Sequence, residues 1–193
     1  MCIRDSHNPN LQKTIQPFYH LLFVDDKLNG QGFKKYANGA EYSGEFVDGM
    51  LNGKGEIKLA DGITEKGIFV DEYLEGEGFW SNKEGDKYYG QFKKGKFQGK
   101  GKYIYIIGSI FEGEYQQDYR IYGTFTYANG DKYIGQFKNN KFHGNGKFIY
   151  SNGNKYEGEW KNGNEQGKGI FTNQLGEKYE GEFASYLNQQ HVF

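Results

Sequence analysis

The chain is poor in the residues that would tie it to several common protein classes. Its one cysteine, Cys2, cannot form an intrachain disulfide. Arginine occurs only as Arg4 and Arg120, and the formal net charge is −1. Bidentate phosphate reading favours arginine, and non-specific nucleic-acid binding needs excess positive charge, so nucleic acid is not an expected partner. There is no Asn-x-Ser/Thr acceptor, and residues 1–18 lack the apolar run of a signal peptide. The longest apolar stretch, Tyr103-Ile104-Tyr105-Ile106-Ile107, is far too short to span a bilayer. The expected compartment is the reducing cytoplasm.

What is present is equally one-sided. Only 36% of residues are hydrophobic, yet 18% are aromatic, and there are 30 glycines against 2 prolines. A disordered tract would be short of aromatics. Few aliphatics with many rings and glycines suggest β structure with turns at short intervals.

The rings and glycines repeat. Tyr42-Ser-Gly-Glu-Phe46, Tyr88-Tyr-Gly-Gln-Phe92, Phe111-Glu-Gly-Glu-Tyr115, Tyr133-Ile-Gly-Gln-Phe137, Tyr156-Glu-Gly-Glu-Trp160 and Tyr179-Glu-Gly-Glu-Phe183 are one motif, with weaker copies at Glu65–Phe69 and Tyr19–Phe23. Their starts at 19, 42, 65, 88, 111, 133, 156 and 179 give a 23-residue period with one step of 22. A second motif, Gly-x-Gly, follows in most copies, as in Gly53-Lys-Gly55 and Gly144-Asn-Gly146, with an aromatic or aliphatic two residues on. The fifth copy has Tyr122 in place of the first of these glycines and is one residue short, which predicts a bulge or a tightened turn.

Both motifs alternate with period 2, placing rings and glycines on one face of a strand and Glu or Lys on the other. Asn38-Gly39, Asp61-Gly62, Asn129-Gly130 and Asn152-Gly153 join successive repeats, and such pairs favour a type I′ hairpin turn. Asp48-Gly49, Lys94-Gly95 and Asn162-Gly163 mark the turn inside repeats. The chain is therefore expected to meander as antiparallel strands, its in-strand glycines giving clearance for rings that lie across the sheet. About 15 strands at ~4.8 Å would make a sheet roughly 70 Å long. Across the polar face, Glu and Lys are expected to pair.

Tyr-x-Gly-x-Phe, then Gly-x-Gly-x-aromatic, then Asn-Gly at this period resembles the MORN repeat family over residues 19–186. The resemblance implies an all-β fold: an elongated single-layer antiparallel sheet of tandem β-hairpins with a groove along one face. MORN arrays occur in ciliary, cytoskeletal and membrane-contact proteins, and ahead of catalytic domains such as phosphatidylinositol phosphate kinases and a SET-class methyltransferase. The resemblance therefore implies protein binding, self-association as a homodimer, and weak association with acidic phospholipid. Residues 1–18 carry no repeat and are expected to be disordered; residues 187–193 follow the array as a cap or as part of a truncated repeat, with a fragment of a longer protein favoured.

No reaction chemistry stands out. Gly95-Lys-Phe-Gln-Gly99-Lys100-Gly101 is one residue short of a phosphate loop and lacks its Ser or Thr. His7, His20, His143 and His191 have no metal spacing, and His143 reads as solvated. No Gly-x-Ser-x-Gly elbow occurs. No catalytic, cofactor-binding or metal residue is therefore assigned. The candidate protein-binding face is the stripe Tyr88, Phe92, Tyr133, Phe137, Tyr156 and Trp160. Two readings are open: these rings form the sheet's own core, or part of the stripe stays exposed for a helix or extended peptide. The expected function is a non-catalytic interaction scaffold, cytoskeletal or ciliary. The alternatives are a peripheral membrane adaptor using Lys93, Lys94 and Lys96, and the regulatory part of a larger enzyme.

Overall fold

The computed structural model describes residues 22–24 and 26–184. The first copy of the motif, the segment 1–18, and the expected cap beyond Ala184 fall largely or wholly outside these residues. Every described regular element is a β-strand. The chain forms two compact units, divided between Lys96 and Phe97. The first contains β1 (Leu22–Val24), β2 (Lys27–Lys35), β3 (Glu41–Val47), β4 (Met50–Lys58), β5 (Thr64–Val70), β6 (Tyr73–Ser81) and β7 (Lys87–Lys93). The second runs from β8 (Lys96–Ile104) through β9 (Ile110–Gln116), β10 (Tyr119–Thr126), β11 (Lys132–Lys138), β12 (Lys141–Ile149), β13 (Lys155–Lys161) and β14 (Asn164–Thr172) to β15 (Lys178–Phe183). Within each unit every strand pairs antiparallel with its chain neighbours. This is the single-layer antiparallel hairpin array that the repeat predicts.

Register puts one glycine of each strand directly opposite the next. In the first unit the row is Gly32, Gly44, Gly55, Gly67, Gly78 and Gly90. In the second it is Gly101, Gly113, Gly123, Gly135, Gly146, Gly158, Gly169 and Gly181. The first ring of a motif lies over this row. A Cβ on Gly169 would sit 2.5–2.7 Å from the Tyr156 ring, and one on Gly158 would stand 2.6 Å from its hydroxyl. The ring therefore covers glycine on its own strand and on the next, and is wholly buried, as are Tyr88, Tyr133 and Phe111. Burying a ring of ~150–250 Å² at ~25 cal/mol per Å² contributes at most roughly 4–6 kcal/mol.

The tyrosine hydroxyl completes the arrangement. Tyr88, Tyr133 and Tyr156 each donate to the carbonyl three residues on, at Gln91 (3.1 Å), Gln136 (2.8 Å) and Glu159 (3.1 Å). The register shifts around these carbonyls: Gly135 faces Gly146 but Phe137 faces Phe142, so Gln136 stands against three residues. This bulge leaves the carbonyl without a ladder partner, and the phenol supplies one. The short fifth copy follows the same logic. Glu114 faces Tyr122 and Tyr115 faces Arg120, so the missing residue is taken out of the bulge, leaving only Ile121 extra. Gly123 keeps its place opposite Gly113. The ring there is Phe111, which has no hydroxyl to donate.

Two turn types alternate, and their assignment corrects the sequence reading. The type I′ turns lie inside repeats, where both central residues have positive φ: Asp48 and Gly49 (49° and 82°), Asp71 and Glu72 (50° and 67°), Gln117 and Asp118 (48° and 70°). The Asn-Gly segments between repeats are three-residue loops instead. Tyr36 N–H bonds Ala40 O (2.8 Å) and Gly39 N–H bonds Tyr36 O (2.9 Å), with only Gly39 left-handed (φ +91°). Asn38 serves as an acceptor, its Oδ1 taking the Ala40 N–H, and Asp61, Asn129 and Asn152 repeat this two residues ahead. Asn favours a turn by either route, so the dipeptide does not distinguish them.

On the polar face the expected Glu–Lys pairs form directly across strands: Lys35–Glu41 (2.7 Å), Lys66–Glu56 (3.4 Å), Lys102–Glu112 (2.9 Å) and Lys147–Glu157 (3.1 Å). Exposed pairs of this kind contribute ~0–1 kcal/mol each. The glycine row matters more. Gly169→Ala is expected to cost about 1–3 kcal/mol in urea unfolding by overpacking, and less in a Tyr156→Leu background; equal cost in both backgrounds would show that the ring is not what excludes the methyl. In the turns, Gln117→Asn is expected to raise stability by about 1 kcal/mol, since asparagine tolerates the left-handed region better; an unchanged urea midpoint would contradict this.

Candidate functional site

The six residues of the candidate stripe are all buried. Tyr88, Tyr133 and Tyr156 are 0% exposed, Phe92 3%, and Phe137 and Trp160 6%. In the second unit they cover one another edge to face: Tyr133 with Phe137 at 5.2 Å, Tyr156 with Trp160 at 5.3 Å, and Tyr133 with Trp160 at 5.1 Å. Tyr88 and Phe92 do the same at 5.2 Å in the first unit. These rings are the core. Of the two readings, the one in which these rings form the sheet's own core holds: Tyr133, for example, lies over Gly135 and Gly146 and also stacks on Phe142 at 3.7 Å, which leaves none of it to solvent.

Another row of rings on the same face is only half-buried. Registers place Tyr103, Phe111, Phe125, Tyr133, Phe148, Tyr156, Phe171 and Tyr179 opposite one another in turn across β8 to β15. Phe111, Tyr133 and Tyr156, from the first strands of repeats, are buried; Tyr103, Phe125, Phe148 and Phe171, from the second strands, are half-exposed. Two residues further along stand Tyr105, Tyr127 and Tyr150, also half-exposed. The rings form a continuous ribbon: Tyr103–Tyr105 4.5 Å, Tyr105–Phe125 5.7 Å, Phe125–Tyr127 4.7 Å, Tyr127–Phe148 6.1 Å and Phe148–Tyr150 4.6 Å between centroids. The signal for it was in the sequence as aromatic-x-Tyr before three successive turns: Tyr103-Ile-Tyr105, Phe125-Thr-Tyr127 and Phe148-Ile-Tyr150.

Charge enters this face at one recurrent position. The second residue of each second strand is Leu28, Leu51, Leu74, Phe97, Arg120, Phe142 and Glu165 in turn. The apolar members fill the core. Arg120 occupies the same slot by laying its guanidinium over Phe111 (5.5 Å), Phe125 (5.4 Å) and Phe137 (5.7 Å). No carboxylate of the described residues lies within ion-pair distance of it. Beside it is a hollow of about 350 Å³, lined by Tyr105, Phe125, Tyr127, Phe142, Arg120 and Lys141 among others, with no acidic side chain. Glu165, 7% exposed, accepts from the Tyr150 hydroxyl at 3.0 Å. Burial and the Glu165 charge raise the Tyr150 phenol well above its ordinary value.

His143, expected to be solvated, has its Nδ1 buried without a hydrogen-bond partner among the described residues. No group of three metal-ligating side chains occurs among them.

The first unit's equivalent row is mixed: Lys34, Tyr42, Ile57, Glu65, Trp80 and Tyr88. Lys34 Nζ donates to the Gly49 carbonyl, and burial lowers its pKa. Glu65 stands where other copies have a ring, and burial raises its carboxyl above the ordinary value. A raised acid pKa in the folded state means that stability falls as pH rises through the unfolded value of about 4.3. Glu65→Gln is therefore expected to raise the urea midpoint at pH 7, with the gain disappearing below about pH 4. A gain that persists at low pH would mean that the carboxylate's desolvation is not its source.

Comparison with protein families matches the MORN repeat at residues 22–41, 42–64, 88–110, 122–132, 133–155 and 156–173. A comparison with curated proteins gave no match. Among solved structures, the chain is similar to the SAS-4 (dCPAP) TCP domain of Drosophila melanogaster, solved in complex with a proline-rich motif of Ana2 (dSTIL). The identity is 13% with a TM-score of 0.49, over 93% of this chain and 97% of that one. Virginiamycin B lyase from Staphylococcus aureus matches at 14% identity and a TM-score of 0.19, over 80% of this chain and 56% of that one. At these values neither likeness bears on what this chain binds. The repeats matched in phase cover more than half of the sequence, and with the hairpin array and its glycine row they make the chain a member of the MORN repeat family.

Proposed function

We propose that the chain is a protein-interaction scaffold without catalytic activity of its own, and that it docks a partner on the half-exposed rings of β8, β10 and β12 and the turns after them. The observation that supports this most is the unbroken ribbon from Tyr103 to Tyr150, with neighbouring centroids 4.5–6.1 Å apart. The rings over glycine are wholly buried, whereas this second row stays partly exposed and keeps apolar area for a partner. Tyrosine suits such a surface, since it offers large area at low entropic cost and a hydroxyl that remains satisfied when wet. We place the protein in the cytoplasm, on a cytoskeletal or ciliary assembly, as the family's usual settings suggest.

Attachment to acidic phospholipid has a narrower basis, the exposed lysines Lys93, Lys94 and Lys96. Each would offer only ~1 kcal/mol at an anionic surface.

The test is a quantitative affinity capture from source-organism lysate with the parent chain and with Tyr105→Ser/Tyr127→Ser/Tyr150→Ser, beside flotation with phosphatidylserine vesicles. Capture of a near-stoichiometric protein by the parent, reduced at least about tenfold in the triple variant, is expected. Equal capture by both chains would remove the ribbon as the docking surface. Vesicle binding without protein capture would favour the lipid reading.

A further inference from the structure

We infer that the occupant of this ribbon is a proline-rich segment in polyproline II conformation, carrying an acidic side chain that pairs with Arg120. The inference rests on the protein-docking reading and specifies its partner by pitch and charge.

The pitch comes from the fold. The ring pairs Tyr103/Tyr105, Phe125/Tyr127 and Phe148/Tyr150 belong to alternate strands, β8, β10 and β12. They therefore recur every two strand spacings, about 9.6 Å. A polyproline II helix repeats every three residues at ~3.1 Å each, about 9.3 Å per turn. A ligand crossing the strands can thus set one face of each turn on one ring pair, and about nine residues span all three. Two turns of an α-helix span ~10.8 Å and match the spacing less closely. Polyproline II also suits the chemistry: its prolines pack on aromatic rings with little conformational entropy left to lose.

The charge comes from Arg120. In the slot that holds Leu51, Leu74 or Phe142 in other copies, this repeat has a half-buried guanidinium. It is held over three rings and borders a hollow that also contains Lys141 and no carboxylate. Stacking holds the guanidinium by one face and leaves its edge donors for a ligand. The lining of the hollow itself holds two cations and no acid, Glu165 being engaged by Tyr150 of the next ring pair, so it selects a negative group, and a carboxylate fits the fork of the guanidinium. The charge complementarity is local, since the chain's net charge is only −1.

The test uses the full chain and a fluorescein-labelled peptide of about a dozen residues, all proline but for one central glutamate, read by anisotropy. The parent chain is expected to bind it, to bind the glutamine version about tenfold more weakly, and to ignore a glycine-serine peptide with the same glutamate. Arg120→Leu restores the residue of other repeats, so it should keep or raise the urea midpoint while abolishing the preference for glutamate over glutamine. Absence of proline-peptide binding, or an unchanged preference in Arg120→Leu, overturns the inference. So does tighter binding of an acidic amphipathic helical peptide. Self-association in sedimentation that is lost with the tyrosine-to-serine variant also overturns it, by assigning the ribbon to a second copy. If the lysate capture remains ribbon-dependent while the peptide fails, the scaffold reading stands and only the occupant is wrong.

Discussion

A bulky side chain lying over two glycines, in the second unit an aromatic ring, is the contact on which the rest of the fold depends. A single-layer sheet has no second layer to close its apolar face, so each repeat must cover itself. Tyr156 does so by lying across Gly158 and Gly169, where any side chain would collide with the ring. Trp160 then closes against its edge. Glycine leaves the necessary clearance, and a large planar side chain covers two strands at once, a place that Leu74 takes over Gly67 and Gly78 in the first unit. The arrangement costs backbone hydrogen bonding where the chain bulges, and the phenol offsets this by capping the carbonyl of Gln91, Gln136 or Glu159.

The fifth repeat shows how strongly the glycine row is held. It is a residue short, and a loss in a regular strand would move every later side chain to the opposite face. Taking the residue from the bulge avoids this: β10 has one extra residue where its counterparts have two, and Gly123 stays opposite Gly113 and Gly135. The same repeat carries Arg120 in an apolar slot and is flanked by the ring pairs on either side. Irregularity, charge and exposed rings thus meet in one place, while the more regular positions of the array are devoted to cover.

Two rows of aromatics divide structure from surface. Phe111, Tyr133 and Tyr156, from first strands, are buried; Tyr103, Phe125, Phe148 and Phe171, from second strands and directly opposite them in register, remain partly exposed. The first unit breaks its row with Lys34, Ile57 and Glu65, which makes it a less continuous apolar surface. The candidate stripe from Tyr88 to Trp160 runs through the buried rings of the apolar face.

The sequence by itself determined the 23-residue period, the antiparallel order, the two-faced strands and the family, because side-chain alternation and glycine spacing are local properties that survive without knowledge of neighbours. It also located the irregular copy and foresaw ion pairs such as Lys147–Glu157. Only the tertiary structure decided which rings are buried. Exposure depends on whether a ring reaches across to glycines of the adjacent strand, and Tyr133 and Phe148 have similar local sequence surroundings but opposite answers. Turn type was decided there too, since Asn38 can act through left-handed φ or through its side-chain oxygen, and the choice depends on how the flanking strands pair. So was the role of Arg120, whose partners Phe111 and Phe137 come from the strands on either side of its own.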